Sequence, residues 1–127
     1  MVKPSKDVTA AELAILEKLW ENERATLKQL SKWLYGAETP SDIATVQKLI
    51  SRLETKGFVG RNRDCWPHQF AAIVGRDELI SNRLQATADE LCDGTMGTLL
   101  THLVKSAKFS SRQRKRLRKI LDEMDSE

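Results

Sequence analysis

Apolar residues recur along this chain at helical spacing, interrupted by one pair of short extended runs. Leu13, Leu16 and Trp20 share a face, with Ile15 and Leu19 beside them, which predicts a helix over roughly 9–22. Thr9-Ala10-Ala11-Glu12 opens it as a capping box: the Thr9 hydroxyl serves the backbone three residues on, and Glu12 reaches back. Thr26-Leu27-Lys28-Gln29 repeats the device. Leu27, Leu30 and Leu34, flanked by Lys32 and Trp33, then predict a short helix ending near Gly36. Pro40 interrupts the pattern. Beyond it Ser41 or Asp42 is the expected cap of a third helix over 41–57. Ile43, Val46, Leu49, Ile50 and Leu53 form its apolar stripe, and Gly57 suits the left-handed residue that ends it. The opposite face holds Thr45, Gln47, Lys48, Ser51, Arg52 and Lys56, and is polar and net basic.

Phe58–Arg63 and Gln69–Val74 read as two strands joined by the turn Asp64-Cys65-Trp66-Pro67-His68. A hairpin this small must pack on the helices to be stable. Helical spacing returns from Asp77. Leu79, Ile80, Leu84, Ala88 and Leu91 lead to Cys92-Asp93-Gly94. Met96, Leu99, Leu100, Leu103 and Val104 form the next stripe. A third capping box, Ser110-Ser111-Arg112-Gln113, precedes Leu117, Ile120, Leu121 and Met124. These last helices have little core of their own, so their apolar faces are expected to bury against a second chain.

The expected division is therefore a module over 1–75 and a helical region over 76–127. The whole is 127 residues, within reach of the roughly 150 typical of one domain. That length excludes a large catalytic barrel. Hydrophobic residues at 40% and charged residues at 31% suit a soluble globular protein. No apolar run approaches the roughly 20 residues needed to cross a bilayer, so membrane insertion is not expected. Met1–Asp7 lacks the apolar stretch of a secretory signal, and two cysteines make no disulfide framework, so a cytoplasmic location is the expectation. A net charge of +3 and a pI near 9.0 permit a nucleic-acid partner without requiring one.

Helix, short helix, turn, polar-faced helix and hairpin together make the order of a winged helix-turn-helix. A helix fits the major groove, and its exposed face must carry donors for base edges and phosphates. Thr45, Gln47 and Lys48 have that chemistry; Arg52 and Lys56 suit phosphates, and Arg61 and Arg63 flank the wing at 60–68, within reach of phosphate or the minor groove. A basic helix face alone is most often just solvated, and two hairpin arginines are often edge charges. The combination with the preceding helices is what points to DNA.

The sequence also resembles the penicillinase repressor family, the BlaI/MecI/CopY type of bacterial winged-helix repressor. The resemblance is carried by Thr9-Ala10-Ala11-Glu12-Leu13-Ala14-Ile15-Leu16-Glu17-Lys18-Leu19-Trp20, by Ala25-Thr26, and by Thr45-Val46-Gln47-Lys48-Leu49-Ile50-Ser51-Arg52-Leu53-Glu54-Thr55-Lys56-Gly57-Phe58-Val59. It continues through Asp93–Leu100 and into Leu117, Ile120 and Leu121. It implies a mainly α protein: an N-terminal winged helix followed by a helical dimerisation region. It also implies a homodimer on palindromic double-stranded operator DNA and repression of a nearby promoter. No nucleophile with a matching base and no Gly-rich phosphate loop is apparent, so no enzymatic activity is expected. The matching DNA-facing positions are Ala44, Thr45, Gln47, Lys48 and Arg52, with Arg61 and Arg63 on the wing. The dimer would draw on Leu84, Leu91, Met96, Leu99, Leu100, Leu103, Leu117, Ile120 and Leu121. Relatives often carry Lys or Arg where Gln47 stands; Gln pairs bidentately with adenine, which implies an altered operator.

Three departures stand out. In the resistance repressors a membrane-bound sensor protease cuts an Asn-Phe bond, and the matching pair here is His102-Leu103. The copper-responsive members carry a C-terminal cysteine cluster, which this chain lacks. The last helix is usually acidic, whereas Lys108, Arg112, Arg114, Lys115, Arg116, Arg118 and Lys119 are basic here. The plain account of that run is favourable charge near a helix end, neutralised by Asp122, Glu123, Asp125 and Glu127. The sharper one is a further phosphate contact or a dock for an acidic partner.

Cys65-x-x-His68 resembles half a zinc site, but no second pair follows, and no metal or cofactor is expected. Cys92 reads as a small buried hydrophobe. Cys65 in the wing turn leaves a thiol redox sensor open as an alternative, beside a winged helix used for protein–protein contact. Trp20 and Trp33 read as core. Trp66, beside Pro67 in a turn, has three destinations: packing back on the wing, DNA sugars, or a partner.

Overall fold

A computed structural model describes residues 7–125. The absence of a signal at Met1–Lys6 and the neutralising role given to Glu127 lie outside the described residues. The chain runs α1 (Ala10–Asn22), α2 (Leu27–Tyr35), α3 (Pro40–Thr55), β1 (Val59–Asn62), β2 (Gln69–Ala72), α4 (Arg76–Leu91), α5 (Met96–Ser106) and α6 (Ser111–Asp125). This is the expected winged helix followed by helices.

Local chemistry sets most helix starts. Thr9 Oγ1 accepts from the Glu12 N–H at 3.2 Å, and the Glu12 carboxylate accepts from the Thr9 N–H at 3.2 Å. Thr26 with Gln29, and Ser110 with Gln113, close the same reciprocal pair. The third helix differs from expectation. Its cap is Thr39, whose hydroxyl accepts from the Asp42 N–H at 3.1 Å, and Pro40 takes the first helical position. A proline there loses nothing, because the first-turn N–H has no intrahelical acceptor.

The C-terminus of α3 aims the wing. Gly57, at φ 80°, donates its N–H to Glu54 O at 3.0 Å, and Phe58 donates to Leu53 O at 2.9 Å. This is a Schellman closure, with Phe58 and Leu53 both buried beside it. The chain turns straight into β1, which pairs antiparallel with β2 in the register Val59↔Ala72, Gly60↔Ala71, Arg61↔Phe70, Asn62↔Gln69. Both strands are shorter than expected: β1 lacks Phe58 and Arg63, and β2 lacks Ile73 and Val74. Ala25 adds a bridge on the other side of β2, exchanging hydrogen bonds with Phe70 at 3.0 and 2.8 Å. The hairpin is thereby tied to the link between α1 and α2.

Ile15, Leu16, Leu19, Leu30, Val46, Ile50 and Leu53 meet Phe58, Val59, Phe70 and Val74 in one core. Trp20 packs at its edge and donates its indole N–H to Val74 O at 2.9 Å. Trp33 does not join this core and is 37% exposed. The inward face of α2 is centred between buried Leu30 and Ser31. At 3.6 residues per turn Trp33 lies about 110° away from that centre.

The described chain divides into two compact units, one up to Arg83 and one from Leu84. This division lies within α4. The first turns of α4 belong to the winged unit: Arg76 lies over the Trp20 ring at 4.7 Å, Leu79 packs on the core, and Arg83 grips the Asp7 carboxylate and the Val8 carbonyl. In the second unit Ala88 is buried, but Leu84, Leu91, Met96, Leu100, Leu103, Leu117, Ile120 and Leu121 are exposed and Leu99 is half-buried. Cys92 is half-exposed, not buried as expected, because it follows the last residue of α4. The basic run also corrects its plain account. Arg112, Arg114 and Lys115 occupy the N-terminal end of α6, and Asp122, Glu123 and Asp125 its C-terminal end. Both sets oppose the helix macrodipole instead of complementing it.

Candidate nucleic-acid interface

The stripe Val46, Leu49, Ile50 and Leu53 is buried, so the other side of α3 faces outward. Ala44, Thr45, Gln47, Lys48, Ser51 and Arg52 are exposed. Thr45 donates its hydroxyl hydrogen to Ser41 O at 3.1 Å, which presents its methyl group and its oxygen lone pairs. Gln47, Lys48 and Arg52 have no side-chain partner among the described residues. Asp42, the acid nearest the start of this face, accepts from the Thr39 hydroxyl at 2.9 Å and is drawn back to the cap. The face thus offers two methyl groups, one carboxamide and two cations, a set suited to base edges and phosphates in a major groove.

Two of the residues expected at phosphates are engaged elsewhere. The Lys56 ammonium donates to both Glu12 oxygens, at 2.8 and 3.0 Å, and to Asp7 O at 2.7 Å. Its side chain is 20% exposed and that of Glu12 only 1%. Burial alone would raise the Glu12 carboxyl. The hydrogen bonds from Lys56 and Thr9 outweigh it and hold the group below the usual carboxylate value. Arg61 pairs with Glu54 at 2.8 Å and stacks over the Phe70 ring at 4.9 Å, directly across the hairpin. Both cations therefore fix structure: Lys56 pins the end of α3 to α1, and Arg61 pins β1 to α3.

Arg63 is exposed at the far end of the wing, with no partner among the described residues. The turn beyond it is held by Asn62, whose Oδ1 accepts from the Asp64 N–H at 2.9 Å. Cys65 is half-exposed, its thiol 3.8 Å from Asn62 O. Trp66 does not pack back on the wing. It is 85% exposed, with the His68 ring edge-on at 4.9 Å.

Sequence reasoning found the outward face of α3 through periodicity. It missed the partners Glu12 and Glu54. Glu12 carried a signal as part of a capping box, but its second role depends on a lysine 44 positions away. Among the described residues no group of three or more His, Cys, Asp or Glu side chains is placed to hold a metal ion, and no helix is long and apolar enough to cross a membrane.

Comparison with known proteins extends this reading. Residues 8–123 match the family described as the penicillinase repressor. Two curated relatives, each named transcriptional regulator BlaI and from two strains of Mycobacterium tuberculosis, are 29% identical over 117 residues. The alignment covers 91% of this chain and 83% of theirs. An uncharacterised 16.5 kDa protein encoded 3′ of ptsI in Latilactobacillus sakei is 23% identical over 121 residues, covering 95% and 82%. The family is one of transcriptional repressors and not of enzymes. With the match spanning both the winged unit and the helices after it, the chain belongs to the penicillinase repressor family and is a DNA-binding transcriptional repressor.

Proposed function

We propose that two copies of this chain occupy a two-fold-symmetric operator, each laying the outward face of α3 in the major groove. The observation that carries this reading is the side-chain set on that face: Ala44, Thr45, Gln47, Lys48 and Arg52, exposed while Val46, Leu49, Ile50 and Leu53 are buried. Gln47 suits the N6 and N7 edge of adenine, and the Ala44 and Thr45 methyl groups suit the thymine methyl. Lys48 reads a guanine edge or a phosphate, and Arg52 and Arg63 take phosphates. Lys56 and Arg61 hold α3 and the wing in place for this contact. Half-sites separated by about one helical turn, roughly 34–36 Å, follow from a two-fold dimer of such modules.

The second copy docks through the apolar faces of the helices from Leu84 onward. A single chain leaves Leu84, Leu91, Met96, Leu100, Leu103, Leu117, Ile120 and Leu121 open to solvent, and exposed apolar area on that scale marks an interaction surface. Repression acts in the cytoplasm by occupation of promoter DNA. Relief by a membrane sensor protease is not part of the proposed mechanism. His102 and Leu103 lie within α5, and they lack the Asn-Phe chemistry cut in the resistance repressors.

The test is fluorescence anisotropy on promoter DNA from the neighbourhood of the chain's own gene, with random DNA as competitor. The wild-type chain is expected to prefer the promoter by a thousandfold or more. Gln47→Ala and Lys48→Ala are each expected to weaken that preference about tenfold or more, at about 1–3 kcal/mol per base contact, with unchanged unfolding. Equal, weak binding of the wild type to both DNAs overturns the proposal.

A further inference from the structure

We propose that Trp66 is a specificity-determining residue: its indole enters the minor groove where the wing lands, and the operator carries A·T pairs there. This rests on the reading of the wing as a DNA contact. Three observations carry it. Trp66 is 85% exposed, the most exposed of the large hydrophobic side chains among the described residues. The turn that bears it is held rather than loose, by the Asp64 N–H on Asn62 Oδ1 at 2.9 Å. The His68 ring meets the indole edge-on at 4.9 Å with an interplanar angle of 82°, supporting it from one side.

The charge of the turn adds to this. Arg63 and Asp64 are both exposed and cancel. A wing that served only to hold phosphates would not end in a turn without net charge. What this one presents is a large apolar ring with one N–H donor. The minor groove matches both parts. Its walls are deoxyribose, against which a flat apolar ring is desolvated, and its floor at A·T pairs carries only acceptors, adenine N3 and thymine O2. At G·C pairs the guanine N2 amino group places a donor where the indole N–H needs an acceptor. Trp66 therefore selects against G·C by an unpaired donor, whereas Arg63 beside it takes a phosphate and is blind to sequence.

The experiment is selection of binding sites from a randomised double-stranded DNA pool by the full chain, compared among wild type, Trp66→Ala, Trp66→Phe and Arg63→Ala. The wild type is expected to enrich a symmetric core with A·T-rich flanks. Trp66→Ala keeps the core, loses the flank preference and binds the wild-type site about tenfold more weakly. Its salt dependence is unchanged, because no phosphate contact is lost. Arg63→Ala keeps the flanks but lowers the slope of log affinity against log salt by about 0.9. Trp66→Phe keeps the apolar ring and loses the donor, so it recovers affinity relative to Trp66→Ala without recovering the flank preference. If Trp66→Ala selects the same flanks and binds within twofold of wild type, the Trp66 assignment is overturned and the operator reading stands. If the wild type enriches no sequence, both fall together.

Discussion

At the scale of single residues, the most consequential contact is one that periodicity does not record. Glu12 is a buried carboxylate held by Lys56 and by its own cap. Its folded value lies below the usual one, so its ionised form contributes stability that is fully present above the unfolded value, roughly 4.3. That contribution is lost as pH falls through the folded value. Glu12→Gln should cost about 1–3 kcal/mol at neutral pH, because it leaves the Lys56 charge without its counter-ion in a partly buried site. The gap between wild type and variant should close as pH falls through the folded value of the wild-type carboxyl, below the usual carboxylate range. Urea unfolding of both proteins across that range measures it; a gap that stays constant with pH contradicts the assignment. The same contact marks the limit of what the sequence shows. Exposure of Gln47 and Lys48 was legible because burial of every third or fourth residue forces it. The engagement of Lys56 and Arg61 was not, since each looked like any other basic residue on an outward face until Glu12 and Glu54 were brought alongside.

At the scale of elements, helix ends were legible where the capping chemistry is local and complete, as at Thr9, Thr26 and Ser110. The start of α3 was not, because Thr39, Ser41 and Asp42 are all competent caps within four residues. Pro40 decides among them by fitting the first helical position. The end of α3 was legible through Gly57, and its φ of 80° explains why. Gly57→Ala finds open space around a new Cβ, so its cost is conformational alone. An L-residue in that region costs about 1–2 kcal/mol. The thermal midpoint of the winged unit should drop by roughly 4–8 °C per kcal/mol. Calorimetry of the full chain checks this, and a midpoint within one degree of wild type would show that the turn after α3 is not held as described. The dependence of α2 on its neighbours was the less legible part. Its inward face is narrow, and Trp33 falls outside it although it sits beside leucines in sequence.

At the scale of the whole molecule, the apolar positions from Leu84 onward were legible as a pattern, and so was the expectation that a single chain cannot cover them. Leu103, half-exposed in the single chain, makes the dimer testable without breaking a core. Leu103→Asp should leave the winged unit folded and move the mass seen by sedimentation equilibrium from two chains to one, 14.4 kDa. Its operator affinity should fall by well over tenfold, since half-site binding loses the linked second contact. A wild-type protein that sediments as one chain at micromolar concentration would remove the dimer from the proposal. The charges of α6 carry a further consequence. Arg112, Arg114 and Lys115 stand against the positive end of their own helix, and Asp122, Glu123 and Asp125 against the negative end. Dissolved ions screen that internal conflict, and they also loosen cations from phosphate. Ionic strength therefore acts on this chain in opposite senses: the conditions that release it from DNA are those in which its last helix is most at ease.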